Sequence, residues 1–209
     1  MAAKSTLSNM VICLTGVCLV CAAILGAVYS VTKVPIEQAS QKAMLTSIGM
    51  VIPEGGELSE AISDEATGMS YYKSVAEGKT IAYAVNSTVT GFGGPLVLMV
   101  GVLPDGTVYA TKVLSQSETP GLGAQCATSE SFISQFRGLG PDKKIAVRKD
   151  GGDIDAITAS TITSRAYALA VSNAVTLVKT LEGQVLNEAD SWSGASTKAE
   201  QTENKEEQK

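Results

Sequence analysis

No charged residue occurs between Lys4 and Lys33. Nothing else in the chain limits its fold so strongly, because a run of this kind finds a matching solvent in lipid. Its apolar centre runs from about Met10 to Val31. As a helix rising roughly 1.5 Å per residue, it crosses about 30 Å of hydrocarbon. Gly16, Gly26 and Ala22-Ala23 leave smooth faces where another helix can approach. The competing reading is a cleaved signal peptide. Gly26-Ala27-Val28 and Ala27-Val28-Tyr29 are poor small-x-small cleavage sites, and the run is long for such a peptide. Cys18 follows Val17 and Cys21 follows Val20, so neither has the small residue that precedes a bacterial lipoprotein cysteine. The expectation is a retained anchor. Charge leaves its orientation open: Lys4 stands on one side, and Lys33 and Lys42, partly offset by Glu37, on the other.

Composition narrows the chemistry. Acidic residues number 21 and basic ones 16, a net charge of −5, which argues against a nucleic-acid binder. The chain has no histidine. That excludes a Ser-His-Asp or Cys-His pair, a histidine base and a histidine metal site. Cys13, Cys18 and Cys21 lie in the apolar run, leaving Cys126 for the rest. One thiol holds neither an iron–sulfur cluster nor an internal disulfide. Any redox chemistry must therefore come from an organic cofactor, and no side-chain set points to a catalytic or metal site.

Pro35 either ends the membrane helix or starts the next. Ile36 to Met50 reads as an amphipathic helix with Ile36, Ala39, Ala43, Leu45 and Ile48 as packing positions. Pro53-Glu54-Gly55-Gly56 breaks it, and a soft region follows to about Gly68. Strands are expected over Tyr71 to Val75, Thr80 to Val89, Leu96 to Val102 and Thr107 to Leu114, the last two joined by a Leu103-Pro104-Asp105-Gly106 turn. Gly91-Phe92-Gly93-Gly94-Pro95 is a glycine-rich joint, not a dinucleotide fingerprint, since Pro95 follows directly. A short helix is expected over Ser129 to Arg137 and a short strand over Ile145 to Val147. The strongest soluble helix is Thr163 to Leu181: Tyr167, Ala170, Val171, Ala174, Leu177, Val178 and Leu181 share a face, and Gly183 can end it. From about Asp190 the chain is mostly Ser, Thr, Glu, Lys and Gln with one Trp, the composition of a disordered tail.

Two stretches carry chemistry. Residues 155–165 run Asp-Ala-Ile-Thr-Ala-Ser-Thr-Ile-Thr-Ser-Arg, with five hydroxyls in seven positions just before the strong helix. Hydroxyls there can simply cap the helix start. The same start, with free N–H groups and a positive dipole end, also welcomes a phosphate. The second stretch is Ser117-Glu118-Thr119-Pro120-Gly121-Leu122-Gly123. It suits a tight turn whose amides can approach a flat ligand. Glu118 can hold the loop or a ligand's polar edge.

Taken together, these stretches resemble the G subunit of the Rnf electron-transport complex, whose near relative is the C subunit of the sodium-pumping NADH:quinone oxidoreductase. The family signature Asp-x-x-Ser/Thr-Gly-Ala-Thr is matched by Asp155, Thr158 and Thr161. Its Glu-Thr-Pro-Gly-Leu-Gly loop is matched in full by residues 118–123. The similarity covers roughly residues 5–185. Ala159-Ser160 stands where the signature has Gly-Ala, and Gln116 stands where relatives often have His.

The resemblance implies an α+β fold: one transmembrane helix, then an antiparallel sheet with packed helices that binds FMN. It divides the chain into a short segment 1–9, an anchor 10–31, an extracytoplasmic domain 32–186 and a polar tail 187–209. It implies FMN held covalently, by a phosphoester to Thr161, with Glu118, Thr119, Gly121 and Leu122 in the wall around the ring. Asp155 and Thr158 belong to the attachment motif, with Asp155 positioning that loop or read by the maturation enzyme. The implied partners are the other membrane, iron–sulfur and flavin subunits, and a flavin transferase using FAD and Mg²⁺. The implied role is electron relay in a complex of the bacterial cytoplasmic membrane that couples ferredoxin oxidation and NAD reduction to Na⁺ or H⁺ pumping. The chain is then an electron-transfer component rather than a self-sufficient enzyme. Its length favours this over the sodium-pump relative; the further alternatives are a stand-alone flavinylated carrier and an anchored binding module without cofactor.

Overall fold

The computed structural model describes residues 7–64, 67–140 and 142–183. Most of the N-terminal segment 1–9 and the whole tail 187–209 lie outside the described residues. The chain divides into two compact units, residues 1–44 and 45–209.

Helix α1 spans Leu7–Val51 without interruption, and it contains one stretch long and apolar enough to cross a membrane. Its large apolar residues from Met10 to Val34 are exposed, as befits a segment whose surroundings are lipid. The break expected at Pro35 is absent. A proline inside a helix forfeits one hydrogen bond but keeps a helical φ, and helix-compatible residues on both sides carry the helix through. The expected packing face of Ile36 to Met50 is also corrected. Of its five residues only Ile48 is buried, joined by Ser47 and Val51 in the last turn of the helix.

The second unit is built on an antiparallel sheet. Its strands are β1 (Glu57–Leu58), β2 (Ile62–Ser63), β3 (Ser70–Ala76), β4 (Lys79–Thr90), β5 (Pro95–Val102) and β6 (Val108–Ser115). The order is β1-β3-β4-β5-β6, with β2 also on β3. The region up to Gly68, expected to be soft, thus contributes two short strands. The β5–β6 turn closes as expected: Gly106 takes φ +87°, and its N–H donates to the Leu103 carbonyl at 2.9 Å. Alternation puts Tyr83, Val85, Leu98, Val100 and Val102 on one face. Helix α3 (Thr161–Leu181) packs there through Tyr167, Val171, Ala174 and Val178. Tyr167 meets Phe132 edge-on at 5.1 Å and Phe136 at 4.8 Å. On the other face the foot of α1 comes so close that a Cβ on Gly101 would overlap the Val51 carbonyl.

Three further expectations are modified. Ser129 to Arg137 holds α2 (Glu130–Ile133) and then a 3-10 turn at Ser134–Phe136. Ile145 to Val147 makes no strand, only a bridge from Val147 to Ile154. Most consequentially, α3 begins at Thr161 rather than Thr163.

Candidate functional site

Three segments distant in sequence meet beside the first turn of α3. They are the glycine-rich joint between β4 and β5, the loop after β6, and the run 159–163. Between them lies a cavity of about 380 Å³, lined by Phe92, Glu118, Thr119, Leu122 and Gly123 on one side and Ala159 to Thr163 on the other. Its volume is in the range of small-molecule sites. Its rim is apolar: Phe92 is 69 % exposed, Ile162 51 % and Leu122 44 %.

Glu118 lies at the base, 6 % exposed. Its Oε1 accepts from the Phe92 N–H at 2.8 Å and the Gly93 N–H at 3.3 Å, and its Oε2 accepts from Thr163 Oγ1 at 2.8 Å. Cys126 is fully buried nearby. Burial and, secondly, the Glu118 charge push its thiol up to about 11, so it is a neutral packing group.

The α3 start is open toward the cavity. Ser160 precedes the helix, and its hydroxyl makes no capping hydrogen bond. Ser164 Oγ turns inward, donating to the Ser160 carbonyl and accepting from the Ile157 N–H, both at 2.9 Å. Among the described residues, the half-buried Thr161 hydroxyl has no hydrogen-bond partner. Arg165, one turn on, grips Asp150 with Nε and Nη2, each at 2.7 Å. This pair holds the Asp150 carboxyl below its usual range.

Ala159 has φ +61°, in the left-handed region that glycine favours. The turn there separates the residues read as one motif. Thr161, Glu118, Thr119 and Leu122 meet at the cavity. Asp155 and Thr158 instead line an adjoining recess of about 460 Å³ with Gln125, Gln135 and Phe132. Asp155 pairs with Arg148 at 2.7 Å, both exposed, and its main chain is held by the Gln135 amide. Gly121 lies outside the lining, at φ +78°, its carbonyl accepting from Gln125 Nε2. Phe92, Ile162 and Thr163 are lining residues that the sequence reading did not single out. A lone aromatic among three glycines was the available signal for Phe92.

Residues 91–176, which contain this cavity, match the FMN-binding domain family. The chain is 32 % identical to the G subunit of the ion-translocating oxidoreductase complex of Shewanella baltica, over 81 % of this chain and 88 % of that one. It is 33 % identical to the G subunit of the proton-translocating ferredoxin:NAD(+) oxidoreductase complex of Clostridium ljungdahlii, over 81 % and 90 %. Among solved structures it is similar to the C subunit of the Na(+)-translocating NADH-quinone reductase of Parabacteroides distasonis, with 24 % identity, a TM-score of 0.44, and coverage of 68 % and 83 %. Its long apolar helix, its antiparallel α+β domain and the two G-subunit relatives together establish that the chain belongs to the G-subunit family of ion-translocating oxidoreductase complexes and carries that family's FMN-binding domain.

Proposed function

We propose that the chain is the electron-relay component of a membrane complex coupling ferredoxin oxidation and NAD reduction to Na⁺ or H⁺ translocation, with FMN joined by a phosphoester to Thr161. The domain faces outward from the cytoplasmic membrane, and α1 anchors it. The observation that carries the attachment site is the fate of the neighbouring hydroxyls. Thr163 and Ser164 are committed to hydrogen bonds within the fold. Thr158 lines the other recess. Ser160 lines the same cavity and its hydroxyl is likewise unpartnered among the described residues, but it is only 7 % exposed, whereas Thr161 is half-buried at the cavity wall.

The residues present fit a flavin. Phe92, Leu122 and Ile162 offer exposed apolar area to a flat ring, and Thr119 adds a hydroxyl. The first amides of α3 lie beside Thr161, where a phosphate gains from free N–H groups and the helix dipole. The bound flavin supplies one- and two-electron chemistry that this histidine-free chain lacks in its own side chains. Thr161 and the first amides of α3 would hold the phosphate, and Phe92, Leu122 and Ile162 would wall the ring. In maturation, the Thr161 hydroxyl loses its proton and its oxygen bonds the FMN-side phosphorus of FAD. The pyrophosphate P–O bond breaks and AMP leaves. Asp155 and Thr158, on the outer side of the Ala159 turn, are the part of the motif open to the flavin transferase.

Thr161→Val keeps the shape and removes the nucleophile. Co-produced with a transferase, the variant should fold and carry no covalent flavin by denaturing-gel fluorescence, while Thr161→Ser is at least partly loaded. A fluorescent Thr161→Val band, with flavin mapped to Ser160, would place the bond on the wrong residue here.

A further inference from the structure

Glu118 is a buried carboxylate in a loop whose next four residues are exposed. Such a group is stable only when its oxygens are satisfied. Three protein donors fill most of its roughly four acceptor positions. They come from the joint between β4 and β5, through the Phe92 and Gly93 amides, and from α3, through Thr163 Oγ1. The glycines around it are matched to that arrangement. A Cβ at Gly91 would overlap Oε1. One at Gly123 would stand 2.5 Å from Oε2 and 2.7 Å from Thr163 Oγ1. One at Gly93 would overlap the Ser117 carbonyl. The Glu118 N–H donates to its own loop, to Gln116 Oε1 at 2.6 Å, which fixes the root of the side chain.

We propose that Glu118, with Thr163 as its partner, is a positioning residue: it pins both loop walls of the cavity to the first turn of α3 and so sets where a bound ring stands relative to Thr161. This rests on reading the cavity as the flavin site. Glu118 acts through Phe92, Gly93 and Thr163 rather than by bonding the ligand's polar edge. Thr163 is therefore not a helix cap. Its hydroxyl donates to a carboxylate 45 residues earlier in the chain.

The test has two arms, both on the full chain in detergent. The first uses flavin-free protein and reads amide hydrogen exchange at Phe92 and Gly93. Thr163→Val removes one hydrogen bond to a charged acceptor, and exchange at both amides should quicken roughly tenfold. Thr163→Ser, which restores the hydroxyl, should exchange like wild type. Should Thr163→Val fail to fold, Glu118→Gln weakens the same acceptor and should quicken the same amides severalfold. The second arm times covalent flavin attachment at equal amounts of folded protein and transferase. Thr163→Val should load roughly tenfold more slowly, with Thr163→Ser near wild type. A purely structural hydroxyl would change the melting midpoint and leave the loading rate alone. Unchanged exchange at Phe92 and Gly93 in both variants overturns the pin. Faster exchange with wild-type loading overturns its positioning role. Absence of flavin on the wild-type protein defeats the flavin reading instead, and the exchange arm still decides whether the pin exists.

Discussion

Ala159→Gly should stabilise the domain. Ala159 has φ +61° and is exposed at the cavity edge, so its methyl group buries little. A non-glycine residue in the left-handed region costs roughly 1–2 kcal/mol relative to its preferred wells. Against this stands the greater freedom glycine gives the unfolded chain, roughly 0.4–1 kcal/mol. The difference favours glycine by about 1 kcal/mol. For a domain of this size that raises Tm by roughly 3–4 °C. The assay is thermal unfolding of the full chain in detergent, followed by near-UV circular dichroism. Ala159→Val, β-branched at the same angle, should lower Tm by at least as much. An unchanged or lower Tm in Ala159→Gly would refute the reasoning, because it would mean that the alanine is not strained. Loading of Thr161 should be undiminished in this variant, since the turn that separates Thr158 from Thr161 is kept.

The remaining expectations concern the frame around the site. The Asp150 carboxyl is held low by Arg165, so the pair's stabilisation is complete above the ordinary aspartate pKa and fades as pH falls through the lowered folded value. Asp150→Asn should therefore lose about 1 kcal/mol at pH 7 in urea unfolding, and the difference from wild type should shrink as the pH falls below the ordinary aspartate pKa. Gly101→Ala should cost roughly 1–3 kcal/mol in the same assay, because the new Cβ overlaps the Val51 carbonyl and displaces the foot of α1. Cys126, its thiol pushed up to about 11, should resist iodoacetamide at pH 8 in the folded protein and react once unfolded, as read by peptide mapping.

Local features of this fold are legible where one segment decides them. The uncharged run before Lys33 announces α1, the Pro-Asp-Gly turn announces the β5–β6 hairpin, and the spacing from Tyr167 to Val178 announces the buried face of α3. The errors arise where neighbours decide. Pro35 reads as a break, yet one lost hydrogen bond does not stop a helix this long. Ile145 to Val147 has strand composition but finds only Ile154 beside it. Thr163 looks like a cap because its partner, Glu118, is remote in sequence. The attachment motif reads as one unit from Asp155 to Thr161, but the left-handed turn at Ala159 sends its two ends to different recesses. By sequence Glu118 can hold its loop or a ligand's polar edge, and only the meeting of three segments gives it three donors within the protein.

The central claim is that Thr161 carries the flavin. It is tested most directly by peptide mass mapping of the wild-type protein from membranes that contain an active flavin transferase. The account predicts one peptide spanning Thr161, heavier by FMN less water, with fragment ions that place the added mass on Thr161 and not on Thr158, Ser160 or Thr163. An unmodified peptide across residues 155–165, or an adduct mapped to another hydroxyl, would contradict it.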